Sequence, residues 1–191
     1  MNKHVMAVMS AVVAAVALAV APAAARADEP VPGARPNPVH LGFGVAMALA
    51  QNDIESGTEP SPAATLTFGY DVLPRLRLGA ELRYIMVSIE GAPAGFDVSY
   101  YDVGFSARGQ VPISGGTSLF GEGRVLRGTL GASYQGQSAS RSGMGLGARA
   151  GVEFALSSRL TLATSASYTT ASISNGSVDW LSIEAALGVG F

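Results

Sequence analysis

The chain has 191 residues, 48% of them hydrophobic and only 14% charged, against about 25% charged in a soluble domain. Mean hydropathy is +0.32, glycine is abundant at 24 residues, and cysteine is absent, which excludes a disulfide framework and cysteine-based metal or redox sites. Past residue 27 the chain carries ten arginines, no lysine and fourteen acids, a net charge of −4 that argues against nucleic acid as a partner.

The first element, residues 1–27, has Lys3 near the start, an apolar run from Val5 to about Ala21, and Ala25-Arg26-Ala27 before Asp28. This is the layout of a secretory signal peptide, with Sec-type export and cleavage near Ala27-Asp28 expected. The alternative is a membrane-anchoring helix. Residues 28–38, DEPVPGARPNP, hold four prolines and read as an extended periplasmic lead-in. Beyond them no run of 18 apolar residues occurs, so no further helix is expected to span a membrane.

From Val39 onward the sequence alternates with the two-residue period of strands. Val39–Gln51 sets Val39, Leu41, Phe43, Val45, Met47 and Leu49 against His40, glycines and alanines. Ala63–Asp71 sets Leu66, Phe68 and Tyr70 against Thr65, Thr67 and Gly69. Arg75–Ser88 sets Leu76, Leu78, Leu82, Tyr84 and Met86 against Arg77, Gly79, Glu81 and Arg83. Val98–Val111 sets Tyr101, Val103 and Phe105 against Asp102, Gly104, Ser106 and Arg108. Ser118–Gly131 is less regular, with Leu119 and Val125 opposing Phe120, Glu122 and Arg124. Ser142–Leu156 sets Met144, Leu146, Val152 and Phe154 against Arg149 and Glu153. The last two segments run from Leu160 to Tyr168 and from Leu181 to Phe191, the latter with Ser182 and Glu184 on its small-residue face.

Eight segments of about 9 to 14 residues suit tilted transmembrane strands, which need about 9 to 11. The connections sort into two sets. Val72-Leu73-Pro74, PISGGT (112–117) and Ser157-Ser158-Arg159 are short. NDIESGTEPSP, IEGAPAGFD, ASYQGQSASRSG and SISNGSVD are longer and polar. Short turns at one rim and long loops at the other predict an all-β, eight-stranded antiparallel up-and-down transmembrane barrel over residues 39–191, with periplasmic turns and extracellular loops.

Such a barrel is wide enough only to be filled by side chains, so the small and charged face is expected inside and the large apolar face towards lipid. That encloses a lumen network of five arginines (Arg77, Arg83, Arg108, Arg124, Arg149) and five acids (Glu81, Asp102, Glu122, Glu153, Glu184). Equal numbers suit an enclosed network, because an unpaired buried charge costs several kcal/mol. The alternative is a soluble barrel with these charges in water. Outward aromatics group into two girdles, Phe43, Tyr70, Phe154 and Phe191 near the periplasmic rim and Tyr84, Tyr101 and Tyr168 towards the outer rim. By parity Arg127 faces lipid. Either it snorkels to lipopolysaccharide phosphates, or a bulge near Gly128 turns it inward. Trp180, near the outer mouth, is read as an interface anchor or as lining a pocket.

With these segments on the page, the chain resembles the small eight-stranded outer-membrane barrels, the OmpA transmembrane domain and OmpX-like group, over residues 39–191. The resemblance rests on the strand pattern, the loop sorting and the closing strand LSIEAALGVGF. It implies that Leu187, Val189 and Phe191 form the signal read by the barrel-assembly machinery, and that outer-membrane lipid and lipopolysaccharide surround a monomer. No cell-wall tether is implied, because no peptidoglycan-binding segment follows. The expected role is structural or surface-interacting, without enzyme activity. A narrow pore, a lateral conduit for apolar solutes, and a lipid A-modifying or peptide-cleaving enzyme remain as alternatives. Against the last, the sole histidine after the signal, His40, sits at the periplasmic start of the first strand. Asp53, Glu55 and Glu59 read as solvated loop acids rather than a calcium site. GMGLGARAG lies within a strand, so no phosphate-binding loop and no cofactor are expected.

Overall fold

The computed structural model describes residues 38–51, 58–173 and 176–191. The expected signal peptide, nearly all of the proline-rich lead-in, and Asp53 and Glu55 of the first loop lie outside the described residues. Nine strands are formed: β1 (Val39–Gln51), β2 (Thr58–Glu59), β3 (Ser61–Leu73), β4 (Leu76–Ile89), β5 (Phe96–Ser114), β6 (Thr117–Tyr134), β7 (Gln137–Ala155), β8 (Leu160–Ile173) and β9 (Gly176–Gly190). Two-residue β2 is a short forerunner of β3 that pairs with the same neighbour, β4. The staves therefore number eight. All pair antiparallel with their sequence neighbours, and β1 closes against β9 from His40↔Gly190 to Gln51↔Asp179. Closure leaves no open sheet edge around the belt, which is what backbone amides in hydrocarbon require.

The two faces divide by parity. Leu41, Phe43, Val45, Met47 and Leu49 on β1, and Leu181, Ile183, Leu187 and Val189 on β9, are exposed on the outside. Phe105 is 79% and Ile183 71% exposed, which no soluble barrel would tolerate over a whole circumference. On β4 the outward run from Leu76 to Met86 covers about 34 Å of strand, or about 26 Å of height at a tilt near 40°, the depth of an apolar belt.

The inside is filled by two layers. The middle of the lumen holds buried charges, Glu81, Arg83, Asp102, Glu122, Arg124, Arg149 and Glu184. Nearer the loop rim lies an apolar cluster including Ala48, Ile85, Tyr100, Leu126, Ala171, Val178 and Trp180. The narrow bore makes small residues necessary where charged chains cross it. A Cβ at Gly44 would meet Thr65 Oγ1 and lie 2.5 Å from a Glu184 oxygen; one at Gly147 would lie 3.0 Å from the Arg124 guanidinium.

Four expectations are corrected. ASYQGQSASRSG is not an irregular loop: β6 runs to Tyr134, β7 starts at Gln137, and only Gln135-Gly136 turns between them. Both turn residues have positive φ, 49° and 80°, the conformation that matches the twist of a two-residue hairpin. In the same way β5 continues through Pro112 to Ser114, leaving Gly115-Gly116 as the turn. Trp180 is not an interface anchor. It is fully buried, because its even position puts it on the same inner face as Ser182 and Glu184. Nor does a bulge turn Arg127 inward, because pairing runs unbroken through Val103↔Arg127 and Arg127↔Met144. The irregularities in these ladders lie at Asp71/Leu73 and Pro112/Ser114, both at the turn rim.

Candidate functional site

Alternation brings the charged residues together. On β4, Arg77, Glu81 and Arg83 differ by even numbers and share the inner face. Across the bore they meet Arg124 and Glu122 of β6, Arg149 of β7 and Glu184 of β9. Glu81 is the hub. Arg149 donates to one of its carboxylate oxygens at 2.9 Å, and the other terminal nitrogen of Arg149 stands 2.7 Å from the second oxygen as an ion pair. Arg124 also donates to Glu81, and Arg83 approaches it at 3.3 Å.

The remaining charges extend from this hub. Arg149 reaches Glu122 at 3.4 Å and Glu184 at 3.3 Å, and Thr65 Oγ1 donates to Glu184 at 2.9 Å. Arg124 stands 3.5 Å from Asp102. Hydroxyls satisfy other guanidinium donors: Arg124 donates to Thr169 at 2.7 Å, and Arg83 donates to Thr169 and Ser167 at 3.2 and 3.4 Å. Towards the turn rim, Arg108 bridges Glu122 at 2.8 Å and Glu153 at 3.3 Å, with its guanidinium 4.2 Å over the Phe120 ring. Arg77 holds Asp71 at 2.8 Å and stands 3.8 Å from Glu153. His40 completes this rim, 2.7 Å from Asp71 and 3.0 Å from Arg77.

All ten lumen charges read from the sequence thus lie in one chain of contacts, to which the structure adds Asp71 and His40. Sequence reasoning missed Asp71 because it falls at a strand end, where parity loses its meaning beside the Asp71/Leu73 irregularity. It also missed the apolar lid. Ile85, Tyr100, Leu126 and Trp180 occupy inner positions next along from Arg83, Asp102, Arg124 and Ser182, so continuing the same parity would have found them. Tyr100 and Trp180 pack at 5.7 Å between ring centres.

The other singled-out residues are on the outside. Phe43, Tyr70, Tyr84, Tyr101, Phe154 and Phe191 are exposed, and Tyr168 is half-buried. Tyr84 pairs directly with Tyr101. Phe154 stands opposite Thr117 at the start of β6, and the Phe191 amide donates to the Val39 carbonyl at 2.9 Å. Leu187, Val189 and Phe191 share the outer face of the closing strand. Arg127 is exposed on β6.

As chemistry, the lumen is a neutralising plug. Its charges pair with each other, the Thr169 and Ser167 hydroxyls accept from guanidinium groups, and the Thr65 hydroxyl donates to Glu184. His40 stands with Asp71 at the turn rim, away from the loop end. Among the described residues no cluster of three or more His, Asp or Glu is arranged to hold a metal ion.

Comparisons agree with this architecture. Neisserial surface protein A superposes with a TM-score of 0.70 at 19% identity, covering 80% of this chain and 97% of that one. Ail, the attachment invasion locus protein of Yersinia pestis, gives 0.56 at 20% identity, covering 80% and 97%. The N-terminal barrel of Pseudomonas aeruginosa OprF gives 0.54 at 9% identity with the same coverage. At these identities the likeness is one of fold. No curated protein sequence matches the chain. A family model described as "Outer membrane protein beta-barrel domain" matches residues 11–191. With a closed eight-stave barrel, an apolar belt and a charged lumen, this chain belongs to that outer-membrane barrel family.

Proposed function

We propose that the protein is a non-conducting, non-enzymatic barrel of the outer membrane, whose role is structural or one of surface interaction through its long outer hairpins. The observation that carries this reading is the filling of the bore. The Glu81-centred network occupies the middle, and Trp180, Tyr100, Ile85 and Leu126 occupy the loop end. An ion crossing would have to displace two layers whose side chains are nearly all buried.

The outer hairpins support the interaction role. β5, β6 and β7 have 19, 18 and 19 residues, more than about 9 to 11 needed to cross, and the excess lies at the loop rim in β6 and β7. The proposed biogenesis is export directed by residues 1–27 and reading of Leu187, Val189 and Phe191 on the closing strand by the assembly machinery. The barrel is proposed to act as a monomer.

The test is planar-bilayer recording of the purified mature chain. The expected result is no unitary conductance in molar salt. Steady channels from the wild-type chain would replace this reading with that of a narrow pore. Glu81→Ala, which leaves three arginines facing a gap, is expected to introduce a leak in the same assay.

A further inference from the structure

One nitrogen of His40 carries two contacts that exclude each other. Its Nε2 lies 2.7 Å from Asp71 Oδ2 and 3.0 Å from Arg77 Nη2. An ionised carboxylate only accepts, and a guanidinium only donates. Nε2 needs a proton for the first contact and its lone pair for the second. A neutral ring with its proton on Nε2 serves Asp71 but sets N–H against N–H at Arg77. The neutral ring that serves Arg77 therefore carries its proton on Nδ1, and the two contacts belong to two protonation states.

Arg77 has a second acid within reach. Its Nε donates to Asp71 at 2.8 Å, while its Nη1 stands 3.8 Å from Glu153 Oε2, an ion pair too long for a hydrogen bond. Asp71 and Arg77 sit on β3 and β4, on the same side of the bore as His40 on β1. Glu153 sits on β7, across it. Two hollows of about 30 and 40 Å³, both lined by His40, Thr67, Arg77 and Arg108, flank these groups, so the guanidinium has room to swing. The side chains of His40, Asp71 and Arg77 are 20%, 26% and 14% exposed, which lets protons reach them from the turn rim.

The other charges facing His40 are Arg108 of β5 and Glu122 of β6 around the first hollow, and Arg149 and Glu153 of β7 and Glu184 of β9 around the second. From β8 only Thr161 and Ala163 face it. Among the described residues the lumen network holds six carboxylates, Asp71, Glu81, Asp102, Glu122, Glu153 and Glu184, against five guanidinium groups. An uncompensated charge in an enclosed network is costly. A protonated His40 is the sixth cation that balances it.

We propose that His40 is a proton-operated clasp that straps the turn-rim mouth of the barrel. With the ring neutral, Nε2 accepts from Arg77 and holds that guanidinium on the β1–β3–β4 side. When a proton from solvent binds Nε2, the imidazolium donates to Asp71 and can no longer accept from Arg77. Arg77 Nη1 then closes on Glu153 and bridges β4 to β7 across the mouth, while its Nε stays on Asp71. The inference rests on the enclosure of these charges in the lumen. It is independent of the proposed surface role and of whether the barrel conducts.

The experiment uses residues 28–191 in phosphatidylcholine nanodiscs, compared at the two ends of the range in which imidazole changes charge, roughly pH 5 to 8. His40 is the one histidine in that span, so ¹⁵N-histidine NMR reports it alone. Nε2 is expected to be unprotonated and accepting at the upper end and protonated at the lower. Thr67→Cys, which lines both hollows, reports the strap through its rate of reaction with a small neutral methanethiosulfonate, read as a ratio between backgrounds at one pH. His40→Gln supplies a donor and an acceptor together and holds Arg77 at every pH, whereas His40→Lys only donates. The wild-type background is expected to match His40→Gln at the upper end. At the lower end it is expected to fall roughly tenfold below it, the equivalent of one charge-assisted hydrogen bond, to the level of His40→Lys. Glu153→Gln is expected to abolish the fall. An Nε2 whose protonation does not change between the two ends would overturn the proposal, as would equal labelling of wild type and His40→Gln at the lower end or a fall that persists in Glu153→Gln. Heat-modifiable gel migration identifies variants that have not folded. Should His40→Lys fail there, the comparison of wild type with His40→Gln decides alone.

Discussion

Glu81 and Glu184 are both buried carboxylates, yet they differ in what their loss would expose. Glu81 faces Arg83, Arg124 and Arg149, whereas Glu184 faces Arg149 alone, with Thr65 as a further donor. Removing one partner of a buried pair typically costs about 3–5 kcal/mol because an uncompensated charge remains. Glu81→Ala is therefore expected to fall at or above that range. Glu184→Ala should cost less, since Arg149 keeps Glu81 and Glu122. Urea unfolding midpoints in lipid vesicles measure both, and equal shifts would contradict the hub assignment. Gly44 offers a steric counterpart. Gly44→Val is expected to destabilise by about 1–3 kcal/mol through overpacking against Thr65 and Glu184, and Glu184→Ala should recover part of that loss in the double variant. The membership of the network was legible as ten residues sharing inner faces. The partner of Glu184 was not, because Arg149 lies 35 positions away and the two meet only through the rotation of β7 relative to β9.

Within single strands, parity carries most of the design, and it makes neighbouring positions behave oppositely. On β7, Leu146 faces lipid at 54% exposure while Gly147 is buried against Arg124. Leu146→Arg is expected to cost about 2–4 kcal/mol if it lies near the bilayer midplane, whereas Ser138→Arg, on the same face beyond the belt, should be nearly neutral. Unfolding of the two variants in vesicles decides this, and comparable losses would place the membrane elsewhere on the strand. The β6–β7 hairpin was misread as a loop because its residues are small and polar. Ser, Ala, Gln and Gly lack the large alternating side chains that mark a strand at the belt. Pairing from Tyr134↔Gln137 inward is sustained by backbone hydrogen bonds and the Gln135-Gly136 turn. Arg127 is exposed on the outer face that parity assigns it, and it took the unbroken ladder on both sides to remove the alternative of a bulge.

Across the whole molecule, the closed sheet makes folding cooperative, because no stave can leave without exposing two rows of backbone groups to hydrocarbon. Purified mature protein in detergent is expected to migrate differently before and after boiling; identical migration would count against a closed barrel. The sequence by itself determined the fold class, the number of staves and which residues face lipid, because alternation is a local property with a period of two that survives without knowledge of the partner strand. The tertiary structure alone decided the Arg149–Glu184 pairing, the hub role of Glu81 and the apolar lid around Trp180. Those depend on the stagger between staves and on what meets across a bore too narrow for water to separate the side chains, and neither is written in any one segment.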